Sequence, residues 1–355
     1  MNLLINSLKR MAEREKIEVQ KVIEITSNAI ISTYKSQFSK EGNDVKVEFN
    51  GEKFVIIDND SIYQTEFLNS NKGFTQIFSE KIEKSLKNFR KEREYNHFSN
   101  LKGDIVSGTI QSFSRNSNYI VNLGDGLGYW SEREWKVENR NNIYLGKPMR
   151  FLVLDVKKDK ESTNVIITRH NNEFIKKIFE IEIPEIKEGV VILKDIIRIF
   201  GVISKVLVKL DEKKTNKKLN PISICIGKNR SRINSISNEL GEEKIDLIYW
   251  NEDKKKLLIN LLSPSEVVSV IEKSDNNWEV VVPNFRISLI LQASGKVIKK
   301  IEEYLNIKLR IKSFEELEND KSSFVIWNGN ISFNEYNEII KDQKEIKSKK
   351  GLYPK

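Results

Sequence analysis

The sequence predicts a multi-domain α+β protein: an N-terminal α+β domain, then a small closed β-barrel, then an α+β unit that occurs twice. Three observations predict it. Long gap-free amphipathic stretches flank a hairpin in the first hundred residues. From Leu101 the texture changes to short alternating runs broken by Gly and Asn. After Arg169 one order of elements, strand, polar loop, short helix, tight basic turn, longer helix, strand, appears two times over. At 355 residues the chain has room for several domains that each bury a core.

Ile17 to Phe38 contains no Gly or Pro and sets Val19, Val22, Ile23, Ile30 and Tyr34 near helical spacing, so it reads as an amphipathic helix. Val45 to Phe49 alternates with period two, Asn50-Gly51 supplies a turn, and Lys53 to Ile57 resumes the pattern as a hairpin. Thr75 to Arg93 carries Phe78, Ile82, Leu86 and Phe89 on one stripe, a further helix. Residues 1–99 therefore form the first domain. Asp104 to Ile110, Tyr119 to Leu123, Pro148 to Val156 and Asn164 to Thr168 are short strands, and about five of them in residues 100–170 suggest a closed barrel.

The first copy of the repeated unit, within residues 171–250, runs through Lys205 to Leu210, Pro221 to Ile226, a turn at Lys228 to Arg232, Ile233 to Leu240 and Lys244 to Tyr249. The second, within residues 251–313, runs through Trp278 to Val282, Asn284 to Leu291, Ala293 to Gly295, Lys296 to Leu305 and Lys308 to Ile311. Two copies are a duplication rather than a solenoid. Residues 314–355 are polar, end in Lys347-Ser348-Lys349-Lys350, and read as a loose basic tail.

Composition narrows the function classes. Sixty Lys and Arg against 51 Asp and Glu give a net charge of +9, which favours a polyanionic partner. No apolar run approaches the ~18 residues that span a bilayer. The longest, Val190 to Phe200, is broken by Lys194, Asp195 and Arg198, and Met1 to Ile5 has no charged leader region. A cytoplasmic protein without a membrane partner is expected. The single cysteine, Cys225, excludes an internal disulfide framework and reads as a small core residue between Ile224 and Ile226. His97 and His170 have no ligand spacing, and no catalytic constellation emerges, so neither an enzyme, a metal nor a cofactor is expected.

The charge is concentrated. Residues 205–238 hold nine Lys and Arg against two Asp and Glu, an excess of seven within a chain total of nine. The turn Gly227-Lys228-Asn229-Arg230-Ser231-Arg232 lies between two helices, where a glycine lets backbone approach a phosphate and the next helix start supplies N–H donors. The plainer reading is a solvated turn decorated with lysines. In the second copy Ser294, Gly295, Lys296, Lys299 and Lys300 occupy the matching place, against the plainer reading of a packing domain of the same shape. In the barrel Phe113, Tyr119, Tyr129 and Trp130, with Arg115 nearby, are candidates for base stacking, although strand alternation sends about half of such aromatics inward.

Local strings then point to a family. Gly103-Asp104-Ile105-Val106-Ser107-Gly108-Thr109-Ile110, Val121 to Gly124, Leu145 to Pro148 and Ile166 to Arg169 stand in the order of an S1-type OB-fold barrel. Phe179 to Ile186 looks like the joint into a first KH domain. Asn220 to Gly227 and Glu239 to Asp246 bracket its turn, and Leu261 to Val267 resembles the entry to a second KH domain. Along residues 1 to about 313 the chain resembles the bacterial NusA family of transcription elongation factors. It departs from the KH pattern Gly-x-x-Gly in both copies: Arg230 stands at the last position of the first loop and Gln292 at the first position of the second. Poorer backbone approach to phosphate is expected, with Lys228, Arg230 and Arg232 partly replacing it by side-chain charge.

The resemblance implies a type II KH fold for both repeats and a non-enzymatic factor. Residues 1–99 would dock on RNA polymerase core, and the barrel and KH domains would hold nascent single-stranded RNA. It also implies a monomer that meets other elongation and antitermination factors while modulating pausing, termination and antitermination. A ribosome-associated or RNA-maturation factor with the same array is the alternative. A phosphorolytic exoribonuclease places its KH before its S1 domain and adds large catalytic domains for which this chain has no room.

Overall fold

The computed structural model describes residues 3–38, 44–59, 61–64, 72–114, 118–134, 146–159, 162–215, 219–283, 287–290, 295–313 and 316. The chain divides into two compact units, one holding residues 1–102, 122–129 and 153–166, the other 103–121, 130–152 and 167–355.

In the first unit α1 (Leu3–Glu15) and α2 (Val19–Gln37) precede an antiparallel meander of β1 (Val45–Phe49), β2 (Phe54–Asp58) and β3 (Ser61–Gln64), followed by α3 (Lys72–Asn100). Leu8, Ala12, Val22, Ile30, Phe54 and Ile56 share one core, and Ile25 and Ala29 of α2 meet Ile82 and Leu86 of α3 in another. The expected helices and hairpin are present. The sequence reading did not anticipate α1, because it weighed Met1 to Ile5 only as a leader; Leu8 and Ala12 bury that helix. At its end buried Glu15 accepts hydrogen bonds from Arg90 and Arg14. Burial pushes that carboxyl up, and the two guanidiniums outweigh it and hold it below its usual value. α3 runs past the expected Arg93 because Phe98 is buried, and it packs so tightly on Gly126 that a Cβ there would lie 2.7 Å from the ring.

Strands β4 (Ile105–Ser114), β5 (Asn118–Asn122), β6 (Leu127–Ser131), β7 (Pro148–Lys158) and β8 (Thr163–Thr168) close a barrel in the order β4-β5-β6-β8-β7. This is the expected five-stranded OB-like architecture.

In the second unit α4 (Asn172–Glu182) and α5 (Pro184–Lys187) lead into β9 (Val191–Ile199) and β10 (Ile203–Leu210). Next come α6 (Pro221–Ile226), a 3₁₀ turn at Lys228–Arg230, α7 (Ser231–Glu239) and β11 (Lys244–Tyr249). β10 is central, antiparallel to β9 and parallel to β11. The second repeat has the same order: α8 (Lys254–Leu261), β12 (Ser269–Ser274), β13 (Asn277–Val282), α9 (Ile287–Ile290), α10 (Lys296–Leu305) and β14 (Lys308–Ser313), with β13 antiparallel to β12 and parallel to β14. Both are type II KH folds. The first strand of each sheet escaped the sequence reading, since β9 was weighed only as an apolar run broken by charges. Those charges belong to a strand in which Val191, Ile196 and Ile197 are buried and Lys194 is exposed.

β10 is buried on both faces, as central strands with two covered sides are. Val206 and Val208 pack on Phe174, Ile178 and Ile236 of the first repeat's own helices. Leu207, Ile203, Ile197 and Ile248 face the other way and share a core with Leu258, Val297 and Ile301 of the second repeat. Lys205 lies on that second side, where its ammonium bonds Asp246 at 3.1 Å and the Ser263 carbonyl at 3.1 Å. Burial holds its pKa below the ordinary lysine value, against the pull of Asp246.

Candidate nucleic-acid interface

The first KH loop is built by its flanking caps. Asn220 caps α6 by accepting from the Ile222 and Ser223 N–H groups, and Pro221 occupies the first helical turn, where it has no bond to lose. Six residues later Gly227 breaks the helix at φ 73°, ψ 172°, a region essentially reserved for glycine. A Cβ at Gly227 would lie 2.8 Å from the Arg232 Cγ, so the retained glycine also admits the arginine stem.

Asn229 and Arg230 follow in left-handed conformation, at φ 53° and 62°. Arg230 is the N-cap of α7 and Gly295 the N-cap of α10, both in the left-handed region, and neither makes a side-chain cap bond. The family's second glycine position thus keeps its backbone shape here although the residue is arginine. Non-glycine residues bear a cost of about 1 kcal/mol for this conformation, and the helix start still presents its N–H groups.

Lys228, Asn229, Arg230 and Ser231 are exposed. Arg232 is different. It is half-buried, donates to the Ile224 carbonyl at 2.9 Å and pairs with Glu185 at 2.9 Å, so it braces the loop rather than standing open. Glu185 lies within the joint string that the sequence singled out, but nothing in one dimension ties it to a turn 47 residues away. The local charge excess shrinks likewise. Lys205 sits in the core between the repeats, and Lys209 lies 4.7 Å from the Trp250 ring centroid.

In the second loop Lys296, Lys299 and Lys300 are exposed on α10, with Lys300 paired to Glu303 at 2.7 Å. Ser294 lies outside the described residues, as does Arg115 of the barrel.

Of the barrel aromatics, Phe113 is 52% exposed and its ring centroid lies 5.0 Å from that of half-buried Tyr119. Trp130 is fully buried against Phe151 at 5.2 Å, with its indole N–H donated to Glu134 at 2.8 Å, so it is core and not a stacking surface. Tyr129, half-buried, takes the opposite side of the β6 pleat. Cys225 is fully buried and burial pushes its thiol up to about 12, which suits the core role expected of it.

Comparison with known proteins agrees with this architecture. The model of the NusA-like first KH domain matches residues 169–250. A protein of Halalkalibacterium halodurans is 29% identical over 340 residues, covering 86% of each chain, and one of Bacillus subtilis is 27% identical over 352 residues, covering 87% of this chain and 90% of that one. Over most of its length the chain is similar to these two proteins. Both relatives bear the name transcription termination/antitermination protein NusA, as does a Thermus thermophilus protein that is 28% identical over 68% of this chain and 60% of its own. The matched KH region begins at Arg169, whose buried guanidinium bonds Glu239 and so ties the end of β8 to the end of α7.

Proposed function

We propose that the chain is a non-enzymatic transcription elongation factor of the cytoplasm. It docks on RNA polymerase through residues 1–99, holds nascent single-stranded RNA on its barrel and KH domains, and modulates pausing, termination and antitermination. What carries this reading is the extent of the match: relatives named as transcription termination/antitermination proteins match 86–87% of the chain. The exposed Lys228-to-Ser231 turn, with its cations at a helix start, supports the RNA-binding part.

Lys228 and Arg230 are the phosphate-facing pair in this reading, and Arg232 positions them. Affinity for single-stranded RNA falls with salt by a log-log slope of about −0.7 per phosphate contact. The double variant Lys228→Ala, Arg230→Ala is expected to flatten that slope by about one contact or more. An unchanged slope and affinity would remove the first KH loop from the interface. Capture of RNA polymerase core by the full chain tests the other half; RNA binding without polymerase binding would favour the ribosome or RNA-maturation role.

A further inference from the structure

At one end of the first KH sheet β10 finishes at Leu210, β11 finishes at Tyr249, and β9 begins beside them, with Ile192 paired to Lys209. Around these strand ends lies an open cavity of about 550 Å³ whose lining includes Lys209, Lys213, Tyr249 and Trp250 and no residue of the Gly227-to-Arg232 loop. Its volume is within the ~300–1,000 Å³ of small-molecule sites.

The two aromatics are held but not covered. Trp250 N–H bonds the Val208 carbonyl at 2.9 Å, and its indole hydrogen-bonds Tyr304 of α10. The Tyr249 carbonyl accepts from Asn260 at 2.9 Å, while its side chain ends the strand 44% exposed. Lys194 of β9 and Lys209 of β10 both bring their ammoniums to the Trp250 ring, each 4.7 Å from its centroid. Among the described residues neither lysine is paired with a carboxylate, although acids stand next to them in the sequence. Asp195 gives an oxygen to the Ile196 N–H at 2.8 Å and Asp211 one to the Lys213 N–H at 3.0 Å.

Two unneutralised ammoniums gathered on one ring repel each other and attract an anion. The cavity is nevertheless no plain cationic patch, because the carboxylates of Asp211, Glu212 and Glu252 also line it. A phosphate suits the lysines and is repelled by the acids; the N–H groups on the edge of a base suit the acids; a flat base suits an uncovered tyrosine ring. One ligand class carries all three features.

We propose that this cavity binds one nucleotide of a single RNA strand, outside both KH loops. The base stacks on Tyr249, the phosphate lies against Lys194 and Lys209, and the carboxylates accept from the N–H groups of the base edge. This contact rests on the RNA-binding reading above and extends it to the far end of the first sheet.

Fluorescence anisotropy of the full chain with a labelled single-stranded RNA of mixed sequence tests it, in the native protein and in three variants. Tyr249→Ala is expected to weaken binding about tenfold, and Tyr249→Phe, which keeps the ring, to bind close to the native affinity. The double variant Lys194→Ala, Lys209→Ala is expected to flatten the log-log salt slope by about 0.7, one phosphate contact. If Tyr249→Ala loosens the first repeat, the lysine variant decides through its slope. Native affinity and slope in both Tyr249→Ala and the lysine variant would overturn the pocket, while a loss in Lys228→Ala, Arg230→Ala would leave the loop reading standing. A native chain that bound no RNA would overturn both. Unchanged RNA binding together with saturable binding of adenosine monophosphate that Tyr249→Ala abolishes would replace the strand with a free nucleotide.

Discussion

The two KH repeats share a backbone and differ in what fills it. Where the first has Ser204 and Glu243, the second has Trp278 and Ile307 at the corresponding positions, and where the first has Cys225 the second has Ile290. Glu243 is almost wholly buried and accepts from Arg198, from the Ser204 hydroxyl and from the Gly201 N–H at 2.8 Å, while Arg198 reaches the Arg169 and His170 carbonyls at 2.8 Å. Ile307 and Trp278 simply join the apolar core. One fold thus closes the start of its last strand by a hydrogen-bonded ion pair in one copy and by packing in the other. The ionic version also ties the KH sheet to the segment that leads out of the barrel.

The largest effect is expected from breaking the ionic version on one side. Glu243→Ala leaves Arg198 buried without its carboxylate and is expected to cost about 3–5 kcal/mol, measured by denaturant unfolding of the full chain. A loss below about 1 kcal/mol would show that the pair is a solvated contact. Ile307→Ala, which removes packing instead, is expected to cost about 2–4 kcal/mol. A smaller loss than this would mean that the second core relaxes into the space.

The loops sharpen the same comparison at lower energy. Arg230→Gly puts glycine where Gly295 already sits in the second repeat, so it is expected to relieve about 1 kcal/mol of left-handed strain while weakening RNA binding. Gly295→Ala is expected to lose a similar amount. If Arg230→Gly destabilised the chain, the arginine would be earning its place by a contact within the fold. At neutral pH the smallest effect is expected at Cys225. Its thiol stays protonated in the fold up to about 12, whereas an unfolded thiol ionises near its ordinary value of 9.0. That contribution to stability is complete below pH 9 and is lost as pH rises toward 12. Alkaline unfolding of the first repeat is expected to lose this dependence in Cys225→Val, and an unchanged profile would place the thiol in contact with water.

Much of this molecule was legible in one dimension. The period of the apolar residues marked α2, the first hairpin, α3 and the two long KH helices, because each buries one face and needs no distant partner to declare it. The order of barrel strings, the joint at Phe179 to Ile186 and the duplicated turn pointed to the resemblance and to the candidate RNA surface. The edge strands β3, β9 and β12 were not legible, since their pattern is shaped by neighbours rather than by a single exposed side.

What the sequence determined by itself was the fold class, the order of the elements and the position of the cationic turns. Only the tertiary structure decided which cations face outward. Lys205 and Arg232 look like their neighbours in the sequence, yet one lies in the core between the repeats and the other braces Gly227 through Glu185. Burial and pairing are fixed by residues far apart along the chain, and a charge's availability to a phosphate depends on both.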